Sequence, residues 1–138
     1  MKSKSTLITA VIIIVIIAAV IGLMVYASSE RNKKQEALGV ALTPFATCLK
    51  DSGAVFYGAF WCPHCQEQKA LFGSAKDSLP YVECSLENGK DQTQICIDKK
   101  VERYPTWEFN GERVEGVLGL AELSQRTGCL LPDIAAAE

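Results

Sequence analysis

Residues 60–68 read FWCPHCQEQ and follow directly on a short run that is rich in aromatic residues. That run, Ala54–Phe60, predicts a buried strand because it is apolar and contains residues that favour strands. A helix is predicted from Cys62 to Ser78, since Pro63 is well tolerated in a first helical turn. The sequence therefore places a pair of cysteines where a strand gives way to a helix.

The spacing of these cysteines suits reversible disulfide chemistry. Cys62 and Cys65 fit one helical turn, so their sulfurs can close a small ring near the helix N-terminus, where free N–H groups and the helix dipole stabilise a thiolate. The thiolate is the attacking and the leaving species in disulfide exchange. Pro63 and His64 lie between them, and Trp61 precedes them, so these three residues are expected to tune the pair. A zinc site and a structural disulfide are the alternatives.

The remaining elements alternate between helices and strands. Asn-Gly at 110–111 is a strong hairpin signal, because both turn residues accept a positive φ. Strands that alternate with helices and end in a hairpin predict an α/β fold with a mixed central sheet flanked by helices. The predicted elements are a helix at Leu38–Lys50, a strand at Tyr81–Cys84, a short helix near Gln92–Lys99, a hairpin of Thr106–Phe109 and Glu112–Gly116, and a helix at Leu120–Thr127.

The N-terminal part predicts a membrane segment. Between Thr6 and Ser29 there is no charged residue, and a run of about 20 apolar residues matches the thickness of a bilayer. The run exceeds the apolar region of most cleaved signals, which favours an uncleaved signal anchor over cleavage after Ala27. The expected division is a cytoplasmic N-terminus at 1–6, a transmembrane signal anchor at 7–27, a linker at 28–37, a folded domain at 38–131 and a flexible tail at 132–138.

Cysteine content and charge limit the compartment and the partners. Six cysteines behind an export segment are typical of proteins that form disulfides outside the cytoplasm. The flanking positive charges are nearly balanced, so a domain facing the cytoplasm is the alternative. A net charge of −2 gives no basic surface for nucleic acid.

Several motifs resemble the thioredoxin superfamily, and more closely the thioredoxin-like domain fused to bacterial vitamin K epoxide reductase homologues. They are YGAFWCPHCQEQK at 57–69, YVEC at 81–84, YPTW at 104–107 and Asn-Gly at 110–111. The similarity covers about Phe45–Cys129. One apolar segment stands here where those homologues carry a four-helix quinone-reducing domain.

The resemblance implies a thioredoxin fold and assigns roles to site residues. Cys62 would attack, and Cys65 would resolve the mixed disulfide. Pro105 would follow a cis peptide bond and face the site, and the backbone of Tyr104 would bind substrate as a strand edge. Thioredoxins and DsbA-type oxidases often carry a buried acid six positions before the first cysteine, but this chain has Phe56 there. The group that takes the proton of Cys65 is therefore left open.

The resemblance also implies that Cys84 pairs with Cys96. Cys48 and Cys129 are then left for a second structural bridge that ties both ends of the domain together. Relay of electrons through one of these pairs is the alternative.

The predicted function is that of a single-pass protein of the bacterial cell membrane that donates disulfides to cysteine-containing exported proteins. A quinone-linked membrane oxidoreductase, similar to vitamin K epoxide reductase or DsbB, would re-oxidise it, and no bound cofactor or metal is expected. The alternatives are a reductase or isomerase of the same fold, a tethered copper or zinc chaperone that uses Cys62, His64 and Cys65, and a structural adaptor.

Overall fold

The fold comes from a computed structural model that describes residues 2–133. Its elements confirm the predicted order of helices and strands and the predicted fold class, a mixed four-stranded sheet with flanking helices and one long apolar N-terminal helix. Residues 134–138 of the predicted tail lie outside the described residues. The elements are α1 (Lys2–Asp51), β1 (Val55–Gly58), α2 (Pro63–Ala70), a 3-10 helix (Gly73–Ser78), β2 (Tyr81–Glu83), α3 (Gln94–Asp98), β3 (Thr106–Phe109), β4 (Glu112–Glu115) and α4 (Leu120–Thr127).

The chain divides into two compact units, residues 1–34 and residues 35–138. The first unit consists of the N-terminal part of α1, whose most apolar 18-residue window has a mean hydropathy of 3.2. Large apolar side chains from Leu7 to Tyr26 are exposed along it. This part of α1 is long and apolar enough to cross a bilayer.

Residues 28–37, predicted as a linker, are helical and belong to α1. No glycine or proline interrupts them, and they are rich in Glu, Lys and Arg, which favour helices. Glu30 and Lys33 also form an ion pair of 3.5 Å across one turn. The helix predicted to begin at Leu38 is thus the C-terminal part of a longer one.

The sheet of the second unit has the strand order β2-β1-β3-β4. β1 runs parallel to β2, with Tyr57 opposite Val82, and antiparallel to β3, with Tyr57 opposite Thr106. β3 and β4 form the predicted hairpin, and its turn residues Asn110 and Gly111 have φ values of 50° and 91°. β1 is therefore an inner strand, and the chain leaves it directly towards the cysteine pair.

Apolar side chains cover both faces of the sheet. Successive residues of a strand point to opposite faces, and Phe56 and Tyr57 of β1 enter two different buried clusters. Phe56 stacks on Trp107 of β3 with ring centroids 4.8 Å apart. The larger cluster also receives Leu42, Phe45 and Leu49 from α1, Phe72, and Leu123 from α4.

The helix predicted from Cys62 to Ser78 is shorter than expected. α2 ends at Ala70, and a 3-10 helix begins at Gly73, whose φ of +54° lies in the left-handed region. A Cβ atom on Gly73 would lie 2.6 Å from the carbonyl oxygen of Gln35, and one on Gly39 would lie 2.6 Å from the backbone N of Ser74. Close packing against α1 therefore requires both glycines and ends α2 early.

Candidate active site

The Cys62 side chain caps the N-terminus of α2. Cys62 has an extended backbone, with φ −77° and ψ 119°, and Pro63 occupies the first helical turn as predicted. The Cys62 Sγ accepts a hydrogen bond from the Cys65 backbone N–H at 3.4 Å. A sulfur at this position lies at the N-terminus of the helix, where it satisfies one of the backbone donors of the first turn.

Cys65 lies one turn further along α2 and is completely buried. Burial, and next a hydrogen bond with the Cys62 side chain, raise the pKa of the Cys65 thiol to about 12. In the reduced pair, Cys65 is therefore a protonated thiol at neutral pH. Cys62, at 5% exposure, is the more accessible of the two sulfurs.

Tyr104 and Pro105 approach the cysteine pair from the segment before β3. The Cys62 Sγ lies 3.7 Å from the carbonyl oxygen of Tyr104. The Tyr104–Pro105 peptide bond is cis. The structure thus brings together residues 42 positions apart in the chain.

Trp61 stands at the edge of the site and is half exposed. Its Nε1 donates a hydrogen bond to the Ser85 Oγ at 2.9 Å, and its ring meets that of Tyr104 edge-on, with centroids 6.2 Å apart. Gln92 Nε2 donates to the Tyr104 hydroxyl at 2.6 Å. Ser85 and Gln92 face each other in an isolated β-bridge, so one short loop holds both aromatic side chains beside Cys62.

His64 lies on the exposed side of α2. Its Nδ1 is 3.4 Å from the Glu67 Oε2, and both side chains are mostly exposed. The structure therefore places the imidazole against Glu67, and an influence of His64 on the Cys62 sulfur stays a prediction.

Phe56, six positions before Cys62, is fully buried in the core. The carboxylate nearest the start of the site is instead Glu83, at the end of β2. Its Oε1 accepts hydrogen bonds from the backbone N–H groups of Phe60 at 3.1 Å and Ser85 at 2.9 Å. Its Oε2 accepts from the Tyr81 hydroxyl at 2.7 Å.

The other four cysteines form two disulfides. Cys84 and Cys96 are bonded with their Cα atoms 5.5 Å apart, and both are fully buried. Cys48 of α1 is bonded to Cys129, which follows α4, with a Cα separation of 5.8 Å. The bridge between Cys84 and Cys96 closes the loop that carries Ser85 and Gln92. Both cysteine pairs are those named in the sequence analysis.

Comparison with proteins of known function supports the same kind of chemistry. This chain is similar to a thiol-disulfide oxidoreductase. It is 41% identical over 107 residues to the protein of Arabidopsis thaliana named thiol-disulfide oxidoreductase LTO1. The matched region is 75% of this chain but 28% of the relative, so the chain spans little more than a quarter of that protein's length. No protein-family model matches the chain.

Sequence reasoning missed the polar residues that surround the pair. Ser85 and Gln92 are isolated polar residues in a polar segment, and no local pattern distinguishes them. Glu83 cannot be assigned a role from the sequence either, because its contacts depend on the register of β2 beside β1. Within residues 2–133, no group of three or more His, Cys, Asp or Glu side chains is arranged to hold a metal ion.

Proposed function

We propose that this protein is a membrane-anchored thiol–disulfide oxidoreductase that donates the disulfide of Cys62 and Cys65 to cysteine-containing exported proteins. The observation that carries the proposal is the position of the Cys62 sulfur. It caps α2, 3.4 Å from the Cys65 backbone N, and lies 3.7 Å from the Tyr104 carbonyl. The similarity to a thiol-disulfide oxidoreductase supports the same reaction class.

The exchange reaction follows from the different burial of the two sulfurs. A substrate thiolate attacks Cys62 Sγ, the bond between Cys62 and Cys65 breaks, and its electron pair remains on Cys65 Sγ. The thiolate of a second substrate cysteine then attacks the substrate sulfur of the mixed disulfide and releases Cys62 as a thiolate. The substrate leaves with a disulfide, and the protein keeps two electrons as a dithiol.

The surface around Cys62 suits an unfolded polypeptide. Phe60, Trp61 and Leu86 are between 44% and 51% exposed, which offers apolar contacts on the side of the site where Ser85 lies. The carbonyl of Tyr104 beside Cys62 supplies a backbone acceptor for an extended substrate segment. Such contacts bind many sequences, because they use the substrate backbone and apolar side chains.

We also propose how the protein is held at the membrane and how its dithiol is re-oxidised. Residues 7–27 would hold the protein in the bacterial cell membrane with residues 38–131 outside the cytoplasm, where structural disulfides persist. A quinone-linked membrane oxidoreductase similar to vitamin K epoxide reductase or DsbB would re-oxidise the dithiol. Tethering both proteins in one membrane raises the effective concentration of each for the other.

The redox potential tests the direction of the reaction. The full chain in detergent is equilibrated with glutathione buffers, the redox state of Cys62 and Cys65 is followed by tryptophan fluorescence, and Cys62→Ser serves as the control. A potential near that of DsbA, about −120 mV, supports donation of disulfides. A potential near that of thioredoxin, about −270 mV, contradicts it and indicates a reductase. Retention of one equivalent of zinc or copper after dialysis would instead indicate a metal chaperone.

A further inference from the structure

Disulfide donation places a negative charge on a buried sulfur. When the bond between Cys62 and Cys65 breaks, Cys65 leaves as a thiolate, and a poorly stabilised thiolate leaves slowly. Cys65 is completely buried, and Phe56, six positions before Cys62, is an apolar core residue that offers no charge. Some other group must therefore stabilise the charge on Cys65.

Lys69 lies on the same face of α2 as Cys65. The two residues are four positions apart within Pro63–Ala70, and side chains with this spacing are neighbours on a helix. The Lys69 Nζ lies 3.4 Å from the centre of the Tyr81 ring. Lys69 is only partly exposed, so its charge is less screened than that of a fully solvated lysine.

The Tyr81 ring lies between Lys69 and the Cys65 sulfur, in the space that Gly58 leaves open. A Cβ atom on Gly58 would lie 2.9 Å from both the Cys65 Sγ and the Tyr81 Cε2. The sulfur and the ring edge are therefore packed side by side over the backbone of β1. The ammonium group above the ring completes a layer in which Tyr81 adjoins both Cys65 and Lys69.

Among residues 2–133, the other titratable groups that interact electrostatically with Cys65 carry no positive charge. Cys62 is the partner sulfur, and Tyr104 is a neutral phenol at neutral pH. Tyr81 is neutral as well, because burial, and next its hydrogen bond to Glu83, raise its pKa. The Glu83 carboxylate would repel a thiolate, but it accepts three hydrogen bonds, from Phe60, Ser85 and Tyr81.

Water can reach this layer from one side. Water reaches Lys69 and Tyr81 through an open cleft between α2 and the segment that leads into β2, a cleft that Cys65 itself does not line. Its lining residues are Gln66, Lys69, Lys76, Asp77, Leu79 and Tyr81.

We propose that the Lys69 ammonium group is the charge partner of Cys65, and that it stabilises the Cys65 thiolate in place of a buried acid. The inference rests on the proposed function. When substrate thiolate bonds to Cys62 Sγ, the Cys62–Cys65 bond breaks, and the electron pair stays on Cys65 beside Lys69. The Cys65 thiolate then takes up a proton from solvent and becomes a thiol. In the reverse step, Cys65 gives this proton to water and attacks Cys62 as a thiolate.

The reverse step gives a direct measurement of Cys65. The reduced full chain in detergent is mixed with one equivalent of dithiobis(nitrobenzoate). Attack by Cys62 releases the first nitrothiobenzoate, and attack by Cys65 on the mixed disulfide releases the second. The rate of the second release is recorded against pH for wild type, Lys69→Met, Lys69→Arg and Lys76→Met. Lys76 is the matched control, because it lines the same cleft but lies on the 3-10 helix.

Lys69→Met should leave the rate of the first release unchanged and slow the second release about tenfold at pH 7. The pH profile of the second release should move up by about one unit, because a nearby opposite charge shifts a pKa by that order. Lys69→Arg should restore the wild-type profile, and Lys76→Met should resemble wild type. A wild-type second release in Lys69→Met, or an equal loss in Lys76→Met, overturns the inference. Failure of the wild type to give any second release would instead overturn the proposed function.

Discussion

Gly58 leaves the space that the Cys65 sulfur and the Tyr81 ring occupy. Its φ is not in the left-handed region, so the need for glycine here is one of space and not of backbone conformation. We expect Gly58→Ala to destabilise the protein by about 1–3 kcal/mol, as overpacking of a core does. Chemical denaturation in detergent, followed by tryptophan fluorescence, measures the free energy of unfolding.

Gly119→Ala is the matched control for this substitution. A Cβ atom on Gly119 would meet no atom within 4 Å, and the backbone φ there is −67°. We expect its effect to stay within about 0.5 kcal/mol, as for most surface changes. Equal effects of the two substitutions would show that the packing beside Cys65 is not the cause.

The raised pKa of Cys65 predicts how the stability of the reduced protein depends on pH. Burial raises this pKa from 9.0 to about 12, so between these values the folded state binds more protons than the unfolded state. The free energy of unfolding should therefore fall as the pH rises through this window. Denaturation of the reduced protein at a series of pH values measures it. Cys65→Ser should lose this part of the pH dependence, and an unchanged slope in that variant would assign it to other groups.

At the scale of elements, the loop between β2 and α3 holds the aromatic residues beside Cys62. The Cys84–Cys96 bridge spans 12 residues, and closing such a loop contributes roughly 3 kcal/mol in the chain-entropy account. Replacing both cysteines by serine should cost about that much. It should also weaken the Ser85–Trp61 contact, which a change in tryptophan fluorescence of the folded protein would reveal. Unchanged fluorescence would mean that the loop keeps its place without the bridge.

Sequence signals predicted the elements that depend on local chemistry and missed those that depend on distant contacts. Asn110-Gly111 and Gly128 fixed the hairpin and the end of α4, because the required backbone conformations belong to these residues themselves. α2 ended early since Gly73 packs against Gln35, which no local pattern reveals. Likewise, the spacing of Cys62 and Cys65 identified them as a redox pair. Lys69 reaches the site through its position on α2, Glu83 through the register of β2, and Gln92 through the closure of the loop before α3, and no local sequence pattern shows these three contacts.

At the scale of the whole molecule, the proposed topology makes a prediction about intact cells. The protein should stay with the membranes after alkaline extraction, because residues 7–27 would span the bilayer. Protease added to spheroplasts should digest residues 38–131, since they would face outwards. Digestion only after the membrane is opened would place this domain in the cytoplasm and contradict the topology. A cytoplasmic protein examined in parallel shows whether the spheroplasts are intact.

The bond between Cys48 and Cys129 determines how the molecule carries mechanical force. It joins two points 81 residues apart in the chain. A pull between the N-terminal segment and the C-terminal end therefore passes from Cys48 directly to Cys129. The intervening chain, which includes the sheet, Cys62 and Cys65, lies outside this load path. Tension applied between the N-terminal segment and the residues that follow Cys129 would thus leave the cysteine pair undisturbed for as long as this bond remains oxidised.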